Sequence, residues 1–509
     1  MRVAIAADHA GLPLRARVAE AVTAAGHEPV LMGPDSGKPV DYPLVAVVIG
    51  EALASGDCER AILLCGSGAG VTVAANRLPG IRAAYGSDHY TAHQMVEHDH
   101  VNVLTLGARV MGPEDAADIV EAFVQAGFTP EERHQRRLSE VLELERDRSP
   151  NAATRLHDAG QSLWLDNITR ALLASGTLAN YISNFAVTGM TSNPTIFDKA
   201  MRGTGDYNAA IRTLAEAGVT GEALFFALAI EDLTKAAGLL RPIWDATQAV
   251  DGWVSLEVSP VLANDTDSTV EEAKALHAKA ATPNLFIKVP GTAEGLPAIE
   301  ELIFAGVSIN VTLLFDDEQY LAAAGAYLRG LRRRKDAGLG LDVGSVASVF
   351  ISRWDKAVTG KLPDELADEL GVAVAKRTYR AYRGLLASDE WKALEAAGAK
   401  PQRLLWASTG TKDPALPDTF YIHALAAAKT INTMPEETLK AFAAHGIVDG
   451  LLAADGGDAD DTIAAIEAAG VSVKELAAQL QAEGAKSFVD SWTDLLQCVE
   501  SKTATVTAH

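Results

Sequence analysis

Eight short apolar runs, each closing on a polar side chain, constrain the fold of this chain more than any other feature. They end near Asp166, Thr191, Glu257, Lys288, Thr312, Ser348, Ser408 and Thr433, with helical stretches between them. Eight strand–helix units over about 350 residues fit a closed (β/α)8 barrel of the TIM type with insertions. Such a barrel gathers the carboxyl ends of its strands into one mouth, where these polar ends would meet. Lys288 is the most pointed of them, because it interrupts the apolar run Asn284-Leu285-Phe286-Ile287-Lys288-Val289-Pro290. Lysine is seldom fully buried unless it is paired or put to use. Burial disfavours an ammonium and turns a surface cation into an amine nucleophile. Taken alone, the run also reads as an edge strand with its lysine in solvent. The polar ends of neighbouring runs, Leu165-Asp166, Leu256-Glu257, Ile309-Asn310 and Val311-Thr312, favour an active site.

A different alternation precedes the barrel. Val3–Ala7, Ala61–Cys65, Ile81–Tyr85 and Val103–Leu106 read as apolar strands set among helical stretches such as Pro13–Ala25. That order predicts a doubly wound, Rossmann-like parallel sheet of ordinary domain size. From Arg133 to Arg148 the sequence is charged and helical, and Ser149-Pro150-Asn151 then breaks it. The expected organisation is α/β throughout, with domains at 1–148 and 155–509 and a linker at 149–154.

Asp8-His9 lies just beyond the first strand, where open α/β sheets take ligands. Cys65 ends another strand, and Gly66-Ser67-Gly68-Ala69-Gly70 exposes backbone amides ahead of a helix, a cradle for an anion or oxyanion. A cysteine before glycines is also at home as a small core residue. The loop lacks both the lysine of a P-loop and the G-x-G-x-x-G spacing, which argues against a nucleotide.

The formal net charge of -23 argues against broad nucleic-acid binding. Phosphorylated substrates stay open, since a few arginines in a cleft reverse the field locally. Three cysteines, Cys58, Cys65 and Cys498, have neither metal-like spacing nor a disulfide framework. No signal peptide and no bilayer-length apolar run are evident. The expectation is a cytoplasmic enzyme without metal, cofactor or membrane contact.

Several segments of the first domain together resemble ribose-5-phosphate isomerase type B, of the family that includes galactose-6-phosphate isomerase. They are Asp8-His9-Ala10-Gly11, Asp41-Tyr42-Pro43, Cys65-Gly66-Ser67-Gly68, Ala74-Ala75-Asn76-Arg77, Asn102-Val103-Leu104, Gly107-Ala108-Arg109 and the Arg133-His134 to Arg137 stretch. The resemblance implies aldose–ketose isomerisation through an enediolate, with Cys65 as the base between C1 and C2. It implies that amides of Gly66, Ser67, Gly68 and Gly70 hold the oxyanion and that His98 with Asp8 opens the ring. His9, Arg109, Arg133 and Arg137 would bind the sugar phosphate, and two subunits would share each site, so at least a dimer is expected. A branch of the family uses a glutamate where this chain has Val71. Asp99 stands where the family usually has asparagine, which bears on sugar preference.

The second domain resembles transaldolase, of the type common in high-GC Gram-positive bacteria. The carrying segments run in order: Trp164-Leu165-Asp166, Thr191-Ser192-Asn193-Pro194-Thr195, Val254 to Val258, Asn284 to Pro290, Asn310 to Phe315, Ser348 to Arg353 and Trp406 to Gly410. Splitting a ketose between C3 and C4 needs an electron sink at C2, which a Schiff base on Lys288 would supply. The resemblance gives Glu257 and Thr312 the proton-shuttling water, and Asp166 the C4 hydroxyl. Asn193 and Asn310 would bind hydroxyls of the three-carbon enamine, Ser348 would position the donor, and Arg353 with Lys412 would hold phosphate. The rival readings are an isomerase half for another sugar phosphate (allose, galactose or tetrulose) and a sugar-phosphate sensor with one non-catalytic domain.

Overall fold

The computed structural model describes residues 1–34, 38–78, 80–148 and 151–507. The chain divides into two compact units, residues 1–149 and 150–509. Ser149 and Pro150 of the expected linker lie outside the described residues. The remainder is shorter than expected, because Asn151 already caps a helix, Ala152–Asp158, by accepting the Thr154 amide.

In the first unit the strands are β1 (Arg2–Ala7), β2 (Glu28–Met32), β3 (Arg60–Cys65), β4 (Ala83–Tyr85) and β5 (Val103–Gly107), all parallel in the order β2-β1-β3-β5-β4. Period-two alternation splits each central strand between two cores. Val3, Ile5, Ile62 and Leu64 pack on one side, Ala4, Ala6, Leu63 and Cys65 on the other. The chain leaves β1 to one side and returns at β3 on the other, so the carboxyl ends of these strands form the crevice that ligands use. β2 escaped the sequence reading because its residues are half-buried or exposed and make no continuous apolar run. Ile81 and Arg82, expected in the fourth strand, precede β4.

The second unit is the expected closed barrel. Its parallel strands are β6 (Ser162–Asp166), β7 (Val187–Thr191), β8 (Trp253–Glu257), β9 (Leu285–Pro290), β10 (Ile309–Leu314), β11 (Ser345–Phe350), β12 (Gln402–Ala407) and β13 (Ile431–Met434), each beside the next and β13 beside β6. Its amino end is plugged. Trp253 stacks on Phe286 at 4.0 Å, Trp164 lies 6.2 Å from the same ring, and the Trp164 indole donates to Asp251 at 2.8 Å. Gly189 makes the layer possible, since a Cβ there would collide with the Trp164 ring. A solid floor leaves the carboxyl end as the working face. Over it runs the C-terminal helix Val473–Thr507, packed on Pro194–Gly203 and Asn208–Glu216. Its Gln481 amide donates to the Leu313 and Gly291 carbonyls at 2.9 and 3.1 Å.

Candidate active sites

Strand register builds the barrel site. Lys288 lies opposite Glu257 on β8 and opposite Asn310 on β10. It is 5% exposed, and its Nζ donates to Glu257 Oε2 at 3.2 Å and to the Ser192 carbonyl at 3.3 Å. Burial pushes the Glu257 carboxyl up, against the opposing pull of Lys288. Glu257 Oε1 and Thr312 Oγ1 are both buried with no hydrogen-bond partner among the described residues. Orphaned buried polar atoms cost roughly 1–3 kcal/mol each. Glu257 lies beside the amine and Thr312 lines the cavity that Lys288 also lines, so their unpaired oxygens mark a place for an exchangeable polar guest. Leu313, directly after Thr312, has φ +60°, and β10 shifts register there. Non-glycine residues hold that conformation only where the surroundings enforce it, and Gln481 supplies one such tie.

Asp166 closes β6 and accepts the Thr191 hydroxyl at 2.7 Å. Burial raises its pKa from the ordinary carboxyl value, opposed by Lys288, the Thr191 hydroxyl and Lys412. Asp166, Asn193, Lys288, Thr312 and Ser348 line a cavity of about 350 Å³. Asn193 caps Pro194–Gly203 through its Oδ1, which accepts the Ile196 amide, so its carbonyl oxygen is committed to the helix. Asn310 is fully buried behind the lining, with its amide donating to Ser255 and its Oδ1 accepting from Ser348. Arg353 and Lys412 line the same cavity. Arg353 lies over the Phe350 ring at 4.9 Å and has no carboxylate at ion-pair distance among the described residues.

Phe488 and Ser487, from the C-terminal helix, also line the cavity, and Lys199 joins them from Pro194–Gly203. Sequence reading missed all three. The Phe488 ring centre stands 5.4 Å from Lys288 Nζ and 5.9 Å from the Arg353 guanidinium. Nothing local marks them; they reach the mouth only through tertiary packing.

In the sheet unit, two separate groups form. Asp8 is buried and its Oδ1 accepts the Ala10 and Gly11 amides, both at 2.9 Å, in the turn ahead of the helix Leu12–Ala24. Its own amide donates to Leu64, setting it beside Cys65. The Cys65 thiol is 5% exposed and accepts the Gly68 amide at 3.1 Å. Gly68 has φ +82°, and a Cβ there would meet the Tyr85 ring at 2.5 Å, so the turn demands glycine. Gly66 lies against Arg109, Gly70 lies against Tyr42, and Ser67 is exposed. His9 is within 3.4 Å of the Val40 backbone.

The second group sits on His89–Asp99 and Glu132–Arg148. The His98 and His134 rings lie 4.3 Å apart and tilted by 34°, with the Gln94 amide 3.2 Å from His98 Nδ1 and Glu97 3.7 Å from its Nε2. Asp99, Arg133 and Arg137 are exposed, and Arg133 pairs with Glu131 at 2.9 Å. Among the described residues, no hydrogen bond, ion pair or ring contact joins His98 to Cys65 or Asp8. Val71 is fully buried in the core. The described residues contain no group of three or more His, Cys, Asp or Glu placed to hold a metal, and no helix long and apolar enough to cross a membrane.

Comparison with known proteins follows the same division. The family model described as Transaldolase/Fructose-6-phosphate aldolase matches residues 163–499, more than half of the chain. The chain belongs to the transaldolase family. The transaldolase of Thermobifida fusca (strain YX) is 46% identical over 359 residues, covering 69% of this chain and 97% of that one. That of Parafrankia sp. (strain EAN1pec) is 44% identical over 357 residues, covering 68% and 96%. Ahead of this transaldolase-family barrel, residues 3–141 match the family model described as Ribose/Galactose Isomerase. The solved type B ribose 5-phosphate isomerase of Trypanosoma brucei is 42% identical, covers 28% of this chain and 98% of that one, and superposes with a TM-score of 0.28. The protein is thus an enzyme joining a transferase family to an isomerase family in one chain.

Proposed function

We propose that the chain is a bifunctional enzyme of the non-oxidative pentose phosphate pathway. The barrel transfers dihydroxyacetone between sugar phosphates, taking sedoheptulose 7-phosphate and glyceraldehyde 3-phosphate to erythrose 4-phosphate and fructose 6-phosphate. The observation that carries this reading is the buried Lys288 amine beside the half-satisfied Glu257 carboxyl. The Lys288 amine adds to the C2 carbonyl, and loss of water gives an imine. Glu257 and Thr312 supply the proton traffic for that dehydration, which gives their unpartnered oxygens a use. Asp166 then takes the C4 hydroxyl proton, the C3–C4 bond breaks, and its electrons pass into the imine as an enamine. Burial raises the Asp166 carboxyl above its ordinary value, which makes it a stronger base than an exposed aspartate. Reverse steps join the enamine to the second aldose. Asn193, Asn310 and Ser348 orient hydroxyls, Asn310 acting through Ser348, and Arg353 with Lys412 clamps the phosphate.

The sheet unit interconverts ribose 5-phosphate and ribulose 5-phosphate, with the Cys65 thiolate moving a proton between C1 and C2. The amides from Gly66 to Gly70 hold the enediolate oxygen. His98 with Asp8 opens the ring, His9, Arg133 and Arg137 hold the phosphate, and Arg109 binds the substrate. The separation of the His98 group from the Cys65 group supports completion of each site by a second copy. We therefore propose a homo-oligomer, at least a dimer, working in the cytoplasm.

Reductive trapping tests the barrel reading. Fructose 6-phosphate followed by borohydride should leave a dihydroxyacetone or sugar adduct that peptide mapping finds at Lys288. An adduct on another lysine, or full turnover by Lys288→Met, would overturn it.

A further inference from the structure

Asp166 carries the C4 proton in the proposed transfer, and one of its two oxygens is tied to a short chain of hydroxyls. Thr191 Oγ1 donates to Asp166 Oδ1 at 2.7 Å and lies 2.6 Å from Thr433 Oγ1. Asp166 ends β6, Thr191 ends β7 and Thr433 lies in β13, and β7 and β13 are the two neighbours of β6. The two threonines therefore meet across the strand that carries the aspartate. Both are 4% exposed, and both line the cavity that Asp166 and Lys288 line.

An ionised carboxylate only accepts, and a hydroxyl has one hydrogen to give. With the Thr191 hydrogen committed to Asp166, the 2.6 Å contact is made by the Thr433 hydrogen. The direction of the chain is thus set, from Thr433 to Thr191 to Asp166. Thr409 leaves that hydroxyl alone, since it donates to the Thr433 carbonyl at 3.0 Å. Among the described residues, Asp166 Oδ2 has no hydrogen bond, and Oδ1 has the one from Thr191.

Resting on the imine chemistry proposed above, we infer that Thr433 is a positioning residue which, through Thr191, holds Asp166 Oδ1 as an acceptor and leaves Oδ2 to exchange the C4 proton. In cleavage Oδ2 takes that proton, the C3–C4 bond breaks and its electrons enter the imine. In the reverse direction the proton must leave the same oxygen for the alkoxide that forms on the incoming aldose. A proton placed on Oδ1 would point at Thr191, away from the sugar. For Thr191 to receive it, Thr191 would have to turn its own hydrogen toward Thr433, whose hydrogen already points at Thr191. Hydrogen bonds in series also polarise one another. Burial pushes the Asp166 carboxyl up, and the Thr191 hydroxyl is among the groups that pull against it.

Thr433→Val removes the hydroxyl with little change of shape. Half-maximal borohydride labelling of Lys288 should need the native concentration of fructose 6-phosphate, while kcat for transfer falls about tenfold, the effect of roughly 1.4 kcal/mol. The acid limb of the kcat profile should move to higher pH, because a carboxylate that loses donated hydrogen bonds holds its proton more tightly. Thr433→Ala should behave as the valine variant does, and Thr433→Ser, which keeps the hydroxyl, should recover both the rate and the limb. A native kcat with an unmoved acid limb in the variants without a hydroxyl, or an equal loss in Thr433→Ser, would overturn the inference. Failure of the native chain to label Lys288 would instead strike the imine reading beneath it.

Discussion

Lys288 and Glu257 show how a single buried pair can be legible as a site. Lysine in an apolar strand was visible in the sequence, as was a polar end on each neighbouring run. The register that sets Lys288 against both Glu257 and Asn310 was not, because pairing is decided by the closing of the barrel. Asp166→Asn should separate imine formation from cleavage. We expect the Lys288 adduct to form while turnover falls by about 10²–10⁴, the usual worth of a positioned base; single-turnover trapping beside steady-state rates checks this. Gly484 gives a second prediction. An alanine there favours the helix by about 0.8–1 kcal/mol, yet its Cβ would sit 3.0 Å from both the Arg353 guanidinium and Leu313. Gly484→Ala should leave the fold intact and raise KM for phosphorylated sugars severalfold. An unchanged KM would show that Arg353 does not need that space.

At the scale of elements, Glu272 on the helix Thr266–Ala280 ties down the chain just past β8, its carboxylate accepting the Ser259 amide at 2.6 Å. Burial pushes its pKa up to about 7, with the Ser259 bond opposing and Glu222 adding to the rise. An acid raised on folding binds more protons folded than unfolded between its two pKa values. Stability should therefore be greater below about 4.5 and decline as pH rises to about 7. Glu272→Gln should flatten the barrel's unfolding midpoint across that window, and an unchanged slope would contradict the assignment. The elements also show where the sequence stopped speaking. All eight barrel strands were legible from their apolar runs, but β9, β10, β11 and β13 continue past the polar residues taken as their ends. Hydrogen-bonded pairing with neighbours sets a strand's length, and polarity does not. The C-terminal helix was invisible as a cover for the mouth, because Gln481, Ser487 and Phe488 acquire meaning only against β9, β10 and Arg353.

For the whole molecule, two compact units and two family matches describe a chain that carries two chemistries. The Cys65 loop was legible from its glycines, of which Gly68 is demanded by its positive φ and by the Tyr85 ring, while Gly66 and Gly70 lie against the Arg109 and Tyr42 side chains. The division into two groups of the residues expected to serve isomerisation was not, since helix placement decides it. Expressed separately, residues 1–148 should keep isomerisation and remain oligomeric, and residues 152–509 should keep transfer. Loss of either activity in a folded fragment would show that the sites depend on each other. The central claim is two independent active sites, one on Cys65 and one on Lys288. Its most direct test is to assay the intact protein for both reactions beside its Cys65→Ala and Lys288→Met variants. The account predicts that each substitution abolishes one reaction and leaves the other at its native rate. Substantial isomerisation by Cys65→Ala, transfer by Lys288→Met, or joint loss of both activities in either variant would contradict it.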